Sequence, residues 1–266
     1  MWKIVQSEWQ KIRRCQILLI GIVALGLCPV VQYGSWLIMD PALRDPSFDF
    51  AKLFTNVVWG NTQMFLPMSL VMTGGWLIDR ENVNDTMKNI LTVPVPLFRL
   101  LEGKLAVTGM LAVLFGVYSI GVTLVTGSIA GLSGLTGKLI LEGGVQIVAA
   151  AFTTYLVCMP LILIFGQIRG AYLGGAVFTF FLGYSMLFFK SGFLLSAYPF
   201  SAALILVGFD MQAYNGAVSA PDIALSLSGL LAMILVTVFL LAVSRPSSGK
   251  KRKASGRKTG RRGRKR

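Results

Sequence analysis

Charged and polar side chains are concentrated in one segment, DRENVNDTMKNILTVPVPLFRLLEGK, from Asp79 to Lys104. Met87, Ile90 and Leu91 have the i, i+3, i+4 spacing of one helical face, which is expected to end before the two prolines of the segment. The polar residues around that face are Glu81, Asp85, Lys88 and Asn89. An apolar face bordered by charges is suited to a groove in a partner protein, so the chemistry that we expect here is binding.

Bond-making chemistry has little support elsewhere in the chain. The sequence contains no histidine, and its three cysteines are far apart, so the usual general base and the usual metal-ligand patterns are missing. The nucleotide-binding pattern GxxxxGK[ST] does not occur; its nearest approach, 131–139, has one residue too many and Leu139 where a hydroxyl must meet magnesium. We therefore predict no catalytic residue, no metal site and no cofactor in this chain.

The composition indicates that a bilayer is the main solvent. Of 266 residues, 55% are apolar and 14% charged, and the mean hydropathy is +0.70. A helix needs roughly 20 apolar residues to cross the hydrocarbon layer. The sequence predicts an all-α integral membrane protein with six transmembrane helices, in a permease domain at 15–244. The predicted spans are 16–39, 57–78, 105–130, 144–166, 171–189 and 223–243.

A seventh apolar stretch, 193–209, is interrupted by Pro199. With six spans, both termini and the 79–104 segment share one side with 21 of the 25 Lys and Arg residues. Because basic residues favour the cytoplasmic side, we predict that both termini are cytoplasmic and that 193–209 forms an external re-entrant hairpin between helices 5 and 6. The basic residues left outside are Arg44, Lys52, Lys138 and Lys190.

Both ends of the chain are predicted to meet the membrane surface. Residues 1–14 place Trp2, Val5, Trp9 and Ile12 on one helical face, which indicates an interfacial helix. The alternative is a polar leader whose tryptophans belong to the aromatic belt at the membrane surface. Residues 245–266 form a polybasic segment that we predict to be disordered and cytoplasmic. Anionic lipid is its favoured partner, an inert topogenic tail is the alternative, and the lack of aromatic residues argues against nucleic acid.

Mild polar groups within the predicted spans have two readings, interhelical hydrogen bonds or the lining of a substrate path. The path-lining candidates are Asn61, Gln63, Gln146 and Thr153. Glycines are frequent in the third and fifth spans, where close helix packing explains them. The third-span set is Gly109, Gly116 and Gly121, and the fifth-span set is Gly170, Gly174, Gly175 and Gly183.

The 79–104 segment resembles a known family. An acidic residue follows the second span, and a threonine, a proline and a lysine precede the third: Glu81, Thr86, Pro94 and Lys104. With the basic N-terminal helix and the external hairpin, this is similar to the membrane subunits of ABC transporters of the exporter-like type 2 class. The opening WKIVQSEWQKIRR looks most similar to permeases for lantibiotic immunity or bacitracin resistance. Asp85, where members commonly carry glycine, and the basic tail depart from the pattern.

The resemblance implies an ATP-driven exporter subunit in a bacterial plasma membrane. It would form the path for a hydrophobic or amphipathic substrate, such as an antimicrobial peptide, a drug or a lipid-linked molecule, while separate ABC ATPase subunits bind ATP and magnesium. A second permease chain, identical or related, would complete the path. The implied ATPase contact, a coupling helix between helices 2 and 3, comprises Glu81, Asp85, Thr86, Met87, Lys88, Ile90 and Leu91. The alternatives are a secondary carrier of hydrophobic solutes and a non-conducting scaffold or sensor subunit.

Overall fold

A computed structural model of the chain describes residues 2–12, 16–83, 97–216, 218 and 220–244. Within these ranges every regular element is helical, which confirms the predicted all-α class. The first half contains α1 (Trp2–Ile12), α2 (Ile17–Ile38), α3 (Phe50–Gly60), a π-turn (Asn61–Phe65), α4 (Leu66–Val83) and α5 (Leu97–Ile129). The second half contains α6 (Gly137–Gln167), α7 (Tyr172–Tyr184), a 3₁₀ turn (Ser185–Phe188), α8 (Gly192–Ala197), α9 (Pro199–Leu206), α10 (Met211–Asn215) and α11 (Ile223–Val243).

Four of these helices, α2, α5, α6 and α11, are long and apolar enough to cross a membrane, so the chain is a multi-pass membrane protein. The predicted span 57–78 lies inside the continuous helical segment from α3 through the π-turn to α4. The predicted span 171–189 overlaps the shorter apolar segment Tyr172–Phe188. The third predicted span begins at 105, and α5, which contains it, begins at Leu97 and includes Lys104.

Contacts between helix termini define two ends of the bundle. At one end, α1 contacts the start of α5, a Cβ on Gly166 at the end of α6 would lie 2.8 Å from Ile78 of α4, and the Gln167 side chain donates to Ser244 at the end of α11. We call this the α1 end. At the opposite end, the Phe50 amide donates to the Ser133 carbonyl. These contacts place the ends of α4, α6 and α11 beside the start of α5 at the α1 end, and the start of α3 beside the loop after α5 at the other end.

The apolar stretch 193–209 is broken where Pro199 predicts a break. Pro199 is the first residue of α9, a position that tolerates proline because its N–H would be unpaired in any helix. The Thr153 side chain donates to the Ala203 carbonyl of α9. Thr153 lies sixteen residues into α6, which is about 24 Å at 1.5 Å per residue. The α8–α9 pair therefore folds back into the bundle, and every residue from 200 to 205 is buried.

Glycines allow the central helices to approach closely, as predicted for part of the set. A Cβ on Gly116 of α5 would lie 3.0 Å from the Cα of Val148 on α6, and one on Gly109 would lie 2.9 Å from the Tyr155 ring. Gly121 and Gly174, in contrast, have no atom within 4 Å of an added Cβ. The packing explanation therefore applies to the bundle-facing glycines only.

Candidate functional site

A buried ionic cluster lies at the α1 end of the bundle. The Lys104 ammonium is 3.1 Å from a Glu8 carboxylate oxygen and 3.0 Å from a Glu81 carboxylate oxygen, and it donates to the Leu77 carbonyl oxygen at 2.7 Å. The Lys104 and Glu8 side chains are each 2% exposed, and that of Glu81 is 8% exposed. Three oxygens thus match the three donors of the ammonium group. We call Glu8, Glu81 and Lys104 the ionic clamp.

Three helices bring the clamp together. Glu8 lies on the buried face of α1, between Val5 and Ile12, at the i, i+3, i+7 spacing of a single helical stripe. Those two apolar residues pack with Leu77, Val107 and Leu111 of α4 and α5. Glu81 lies in the last turn of α4, where the negative end of the helix dipole favours a cation such as Lys104.

The clamp unites two residues of the family pattern, Glu81 and Lys104, with one that the pattern did not include, Glu8. The remaining predicted coupling residues, Asp85, Thr86, Met87, Lys88, Ile90 and Leu91, lie outside the described residues, as do Thr86 and Pro94 of the pattern. Because the Glu81 carboxylate is turned into the bundle against Lys104, it can fix the end of α4 from within. Its assignment as part of the ATPase contact stays a prediction.

Asp79, two residues before Glu81, is buried in a different way. Asp79 is 3% exposed, and its Oδ1 atom has no hydrogen-bond partner among the described residues. A buried carboxylate oxygen without a partner costs free energy. This end of α4 therefore carries one acidic side chain held in an ion pair and one that is incompletely satisfied.

We predict opposite effects of amide replacement at these two positions. Asp79→Asn should leave the free energy of unfolding unchanged or raise it, because a neutral amide is cheaper to bury than a carboxylate. Glu81→Gln should lower it by about 1.5–3 kcal/mol, the usual contribution of a charged hydrogen bond. Thermal unfolding of both variants in the same detergent measures the contrast. Equal losses would contradict this assignment of partners.

The π-turn holds two of the predicted path-lining residues. The Asn61 side chain donates to the Ser119 hydroxyl of α5 at 2.8 Å, which is an interhelical hydrogen bond, while its Oδ1 has no partner among the described residues. Gln63 is 7% exposed, and its backbone carbonyl oxygen lies 2.1 Å from where a Cβ of Gly183 would be. π-turns of this kind are frequent at functional sites. In this protein, the π-turn is the place where α7 lies close to the α3–α4 segment, with Gly183 of α7 against Gln63.

The other two candidates, Gln146 and Thr153, lie on α6 and contact the α8–α9 hairpin. Gln146 donates to the Val207 carbonyl at 3.3 Å, and Thr153 donates to that of Ala203 at 3.2 Å. Both side chains fix the hairpin against α6. The side-chain hydrogen bonds described for Asn61, Gln146 and Thr153 do not join these residues to one another.

Two open grooves flank the outer part of α6. One, of about 700 Å³, lies between α5 and α6 and is lined mainly by aliphatic side chains and glycines. The other, of about 770 Å³, lies between α3, α6 and α9, and its lining adds Thr55, Glu142 and Gln146 to an apolar wall. Volumes of this size are typical of small-molecule sites. Of the predicted path residues, Gln146 lines the second groove.

The loop between α2 and α3, at the end opposite to α1, is held by its own polar contacts. Lys52 forms an ion pair with Asp45, and the Trp36 indole donates to the Asp45 carbonyl at 3.0 Å. Trp36 stacks on Phe48 at 4.9 Å, and the Arg44 guanidinium lies 5.0 Å from its ring centre. The hydrogen bond from Lys52 is the largest of the causes that lower the pKa of Asp45 from 3.8 to about 2.

This loop should therefore change conformation in acid. Because the pKa of Asp45 is lower in the folded loop than its ordinary 3.8, its contribution is complete above about pH 4 and is lost as the pH falls through about 2. Fluorescence of Trp36, taken as the difference from Asp45→Asn, should report a transition between those values. Lys52→Met should move that transition toward 3.8. A transition that is unchanged by Lys52→Met would contradict the pairing.

Sequence reasoning missed Glu8 and Ser119. Glu8 carried a signal, since an acidic residue on the apolar stripe of α1 predicts a buried basic partner. Ser119 carried none, because its role depends on which helix faces the π-turn. Within the described ranges, no three acidic or cysteine side chains are close enough together to hold a metal ion.

Comparison with known proteins supplies the family. Residues 4–186 match the family model described as ABC-2 family transporter protein. A search of curated proteins finds no match. The matched region includes the ionic clamp, the π-turn and the whole 79–104 segment, and it covers more than half of the chain. The chain therefore belongs to the ABC-2 transporter family and is a membrane permease component of an ABC transporter.

Proposed function

We propose that this chain is the membrane-spanning subunit of an ATP-driven exporter, and that a separate ABC ATPase acts on the predicted coupling residues Glu81, Asp85, Thr86, Met87, Lys88, Ile90 and Leu91. All of these except Glu81 lie between α4 and α5, in what we call the 84–96 segment. The observation that carries the proposal is the family match across residues 4–186, which includes that segment and the two helix ends that border it. ATP and magnesium bind to the ATPase subunit, and this chain supplies the path.

The proposed topology has six membrane crossings with both termini in the cytoplasm. Support comes from the helix contacts that define the two ends of the bundle and from the charges at those ends. Arg80, Arg99 and Arg169 belong to segments at the α1 end, where the positive-inside bias places the cytoplasm. Arg44, Lys52, Lys138 and Lys190 belong to segments at the other end. In this arrangement, the α8–α9 pair is an external re-entrant hairpin.

The proposed substrate is hydrophobic or amphipathic, such as an antimicrobial peptide, a drug or a lipid-linked molecule, which includes the lantibiotic and bacitracin classes. The two grooves along α6 support this class because their walls are largely apolar. The α3–α6–α9 groove adds a hydroxyl, a carboxylate and an amide to such a wall, which suits a molecule with a polar end. Two permease chains, identical or related, would enclose the complete path.

The test is reconstitution of the chain with the ABC ATPase that it copurifies with. The native pair should form a stable complex whose ATP hydrolysis rate depends on the permease. Met87→Asp places a charge on the apolar face that the sequence predicts for Met87, Ile90 and Leu91, and it should reduce complex formation at least about tenfold, a loss of about 1.4 kcal/mol in binding.

Val218→Asp is the matched control, because Val218 is 82% exposed and belongs to the end opposite to α1. It should leave binding unchanged. Equal binding of the ATPase to the native chain and to Met87→Asp would contradict the proposed contact. Transport driven by an ion gradient with no ATPase present would contradict the proposed function and favour a secondary carrier.

A further inference from the structure

The ionic clamp joins three helices near the two helix ends that border the 84–96 segment in the chain. Glu81 lies two residues before the end of α4 at Val83, and Lys104 lies two helical turns after the start of α5 at Leu97. Glu8 adds α1, which precedes α2 in the chain. Any displacement of the 84–96 segment acts first on the two helix ends that the clamp ties together.

Stability alone does not explain three charged side chains buried at this junction. Replacing a buried ion pair with apolar residues of similar volume is often neutral or stabilising, because desolvation offsets the attraction between the charges. The best supported role of such groups is to fix one register between packed elements. Apolar contact does not specify a register equally well, because it is not directional.

The contact of α1 with the bundle otherwise depends on a small apolar cluster. Among the side chains of α1 that the structure describes, Val5 and Ile12 are the buried members of this cluster, and Trp9 is partly buried against it. One directed contact, from Lys104 to Glu8, therefore decides where α1 sits on α5. The contacts of Lys104 with Glu81 and with the Leu77 carbonyl join α5 to α4, so all three helices meet at one ammonium group. Since α2 follows α1 after only a few residues, the position of α1 also determines where the first long helix begins.

We propose that α1 is a positioning element of the transport reaction: the clamp makes α1 move as one body with the ends of α4 and α5, so that displacement of the 84–96 segment is passed through α1 to α2. Glu8 and Lys104 are the positioning residues, and neither touches the substrate. This inference rests on the proposed function, because it needs an ATPase that moves the 84–96 segment.

The experiment measures distances between spin labels in the full permease–ATPase complex in lipid nanodiscs. One pair, Gln6→Cys with Arg99→Cys, joins exposed positions on α1 and α5. A second pair, Gln6→Cys with Val218→Cys, reports the movement of α1 relative to the opposite end. The background carries C15S, C28A and C158A. Each pair is measured without nucleotide and after trapping with ADP and vanadate.

With the native clamp, the distance between the labels at 6 and 99 should stay the same when the nucleotide is trapped. The distance between the labels at 6 and 218 should change. In Glu8→Gln, the distribution of distances between the labels at 6 and 99 should widen. The change in the distance between the labels at 6 and 218 on trapping should be lost. Lys138→Met is the matched control, since Lys138 pairs with Glu142 at 3.8 Å on the exposed surface of α6 and lines neither groove. It should behave as the native chain.

A second variant keeps the test decisive if Glu8→Gln does not fold. E8M/E81M/K104M replaces the clamp with apolar side chains of similar length and should fold, yet it should lose the nucleotide-driven shift. Retention of the native shift in both folded variants would overturn the role of α1 and leave the proposed function intact. Absence of any nucleotide-driven shift in the native complex would overturn both the proposed function and this inference.

Discussion

Replacement of Lys104 by methionine is expected to be the most damaging single substitution in the chain. Lys104→Met keeps the length of the side chain but removes the cation between two carboxylates that are almost fully buried. Breaking a buried ion pair from one side costs about 3–5 kcal/mol, because the remaining charge has no compensation. The free energy of unfolding in detergent micelles should fall by about that amount.

Lys138→Met is the matched control for this prediction. Lys138 also pairs with a glutamate, but its side chain is 82% exposed and the pair is separated by 3.8 Å. Exposed pairs of this kind contribute about 0–1 kcal/mol, so the control should unfold close to the native temperature. Equal stability of Lys104→Met and Lys138→Met would show that the clamp is not formed.

Replacement of Gly183 by alanine should produce the second large loss, at the contact between α7 and the π-turn. The new methyl group would lie 2.1 Å from the backbone carbonyl oxygen of Gln63. A backbone atom in a packed turn cannot rotate away as a side chain can, so α7 must separate from α3–α4. Overpacking of this kind costs about 1–3 kcal/mol, and occasionally more.

Gly174→Ala tests whether the loss comes from contact rather than from the substitution itself. Gly174 lies on the same helix, α7, and an added Cβ there has no atom within 4 Å. Because alanine has the higher helix propensity, this control should be neutral or slightly stabilising. Thermal unfolding of the two variants side by side gives the answer, and similar values for both would contradict the packing of α7 on the π-turn.

Hydropathy located the apolar helices, but it does not show how far each helix extends beyond the apolar run. The third predicted span begins at 105, after Arg99, Glu102 and Lys104. In the structure, α5 begins at Leu97 and carries Lys104 into the bundle, where Glu8 and Glu81 compensate it. The spacing of α1 predicts one apolar face, and Val5 and Ile12 of that face pack against α4 and α5. The identity of the residues that it meets depends on tertiary packing, which a sequence pattern does not contain.

The break at Pro199 and the π-turn show the same difference between local and tertiary causes. Proline acts on its own backbone, so the end of α8 at Ala197 and the start of α9 at Pro199 follow from local chemistry. The π-turn at Asn61–Phe65 has no local signal in its residue types. It occurs where Gly183 allows the backbone of α7 to approach Gln63. These two residues are far apart in the sequence.

The measurement that tests the proposed arrangement most directly is cysteine labelling of intact cells with a membrane-impermeant maleimide. Leu43→Cys and Val218→Cys lie at one end of the bundle, and Gln6→Cys and Arg99→Cys lie at the other; all four positions are exposed. Leu43→Cys and Val218→Cys should react in intact cells, and Gln6→Cys and Arg99→Cys should react only after permeabilisation. Reaction of Arg99→Cys from outside intact cells would contradict a cytoplasmic 84–96 segment and the ATPase contact that depends on it.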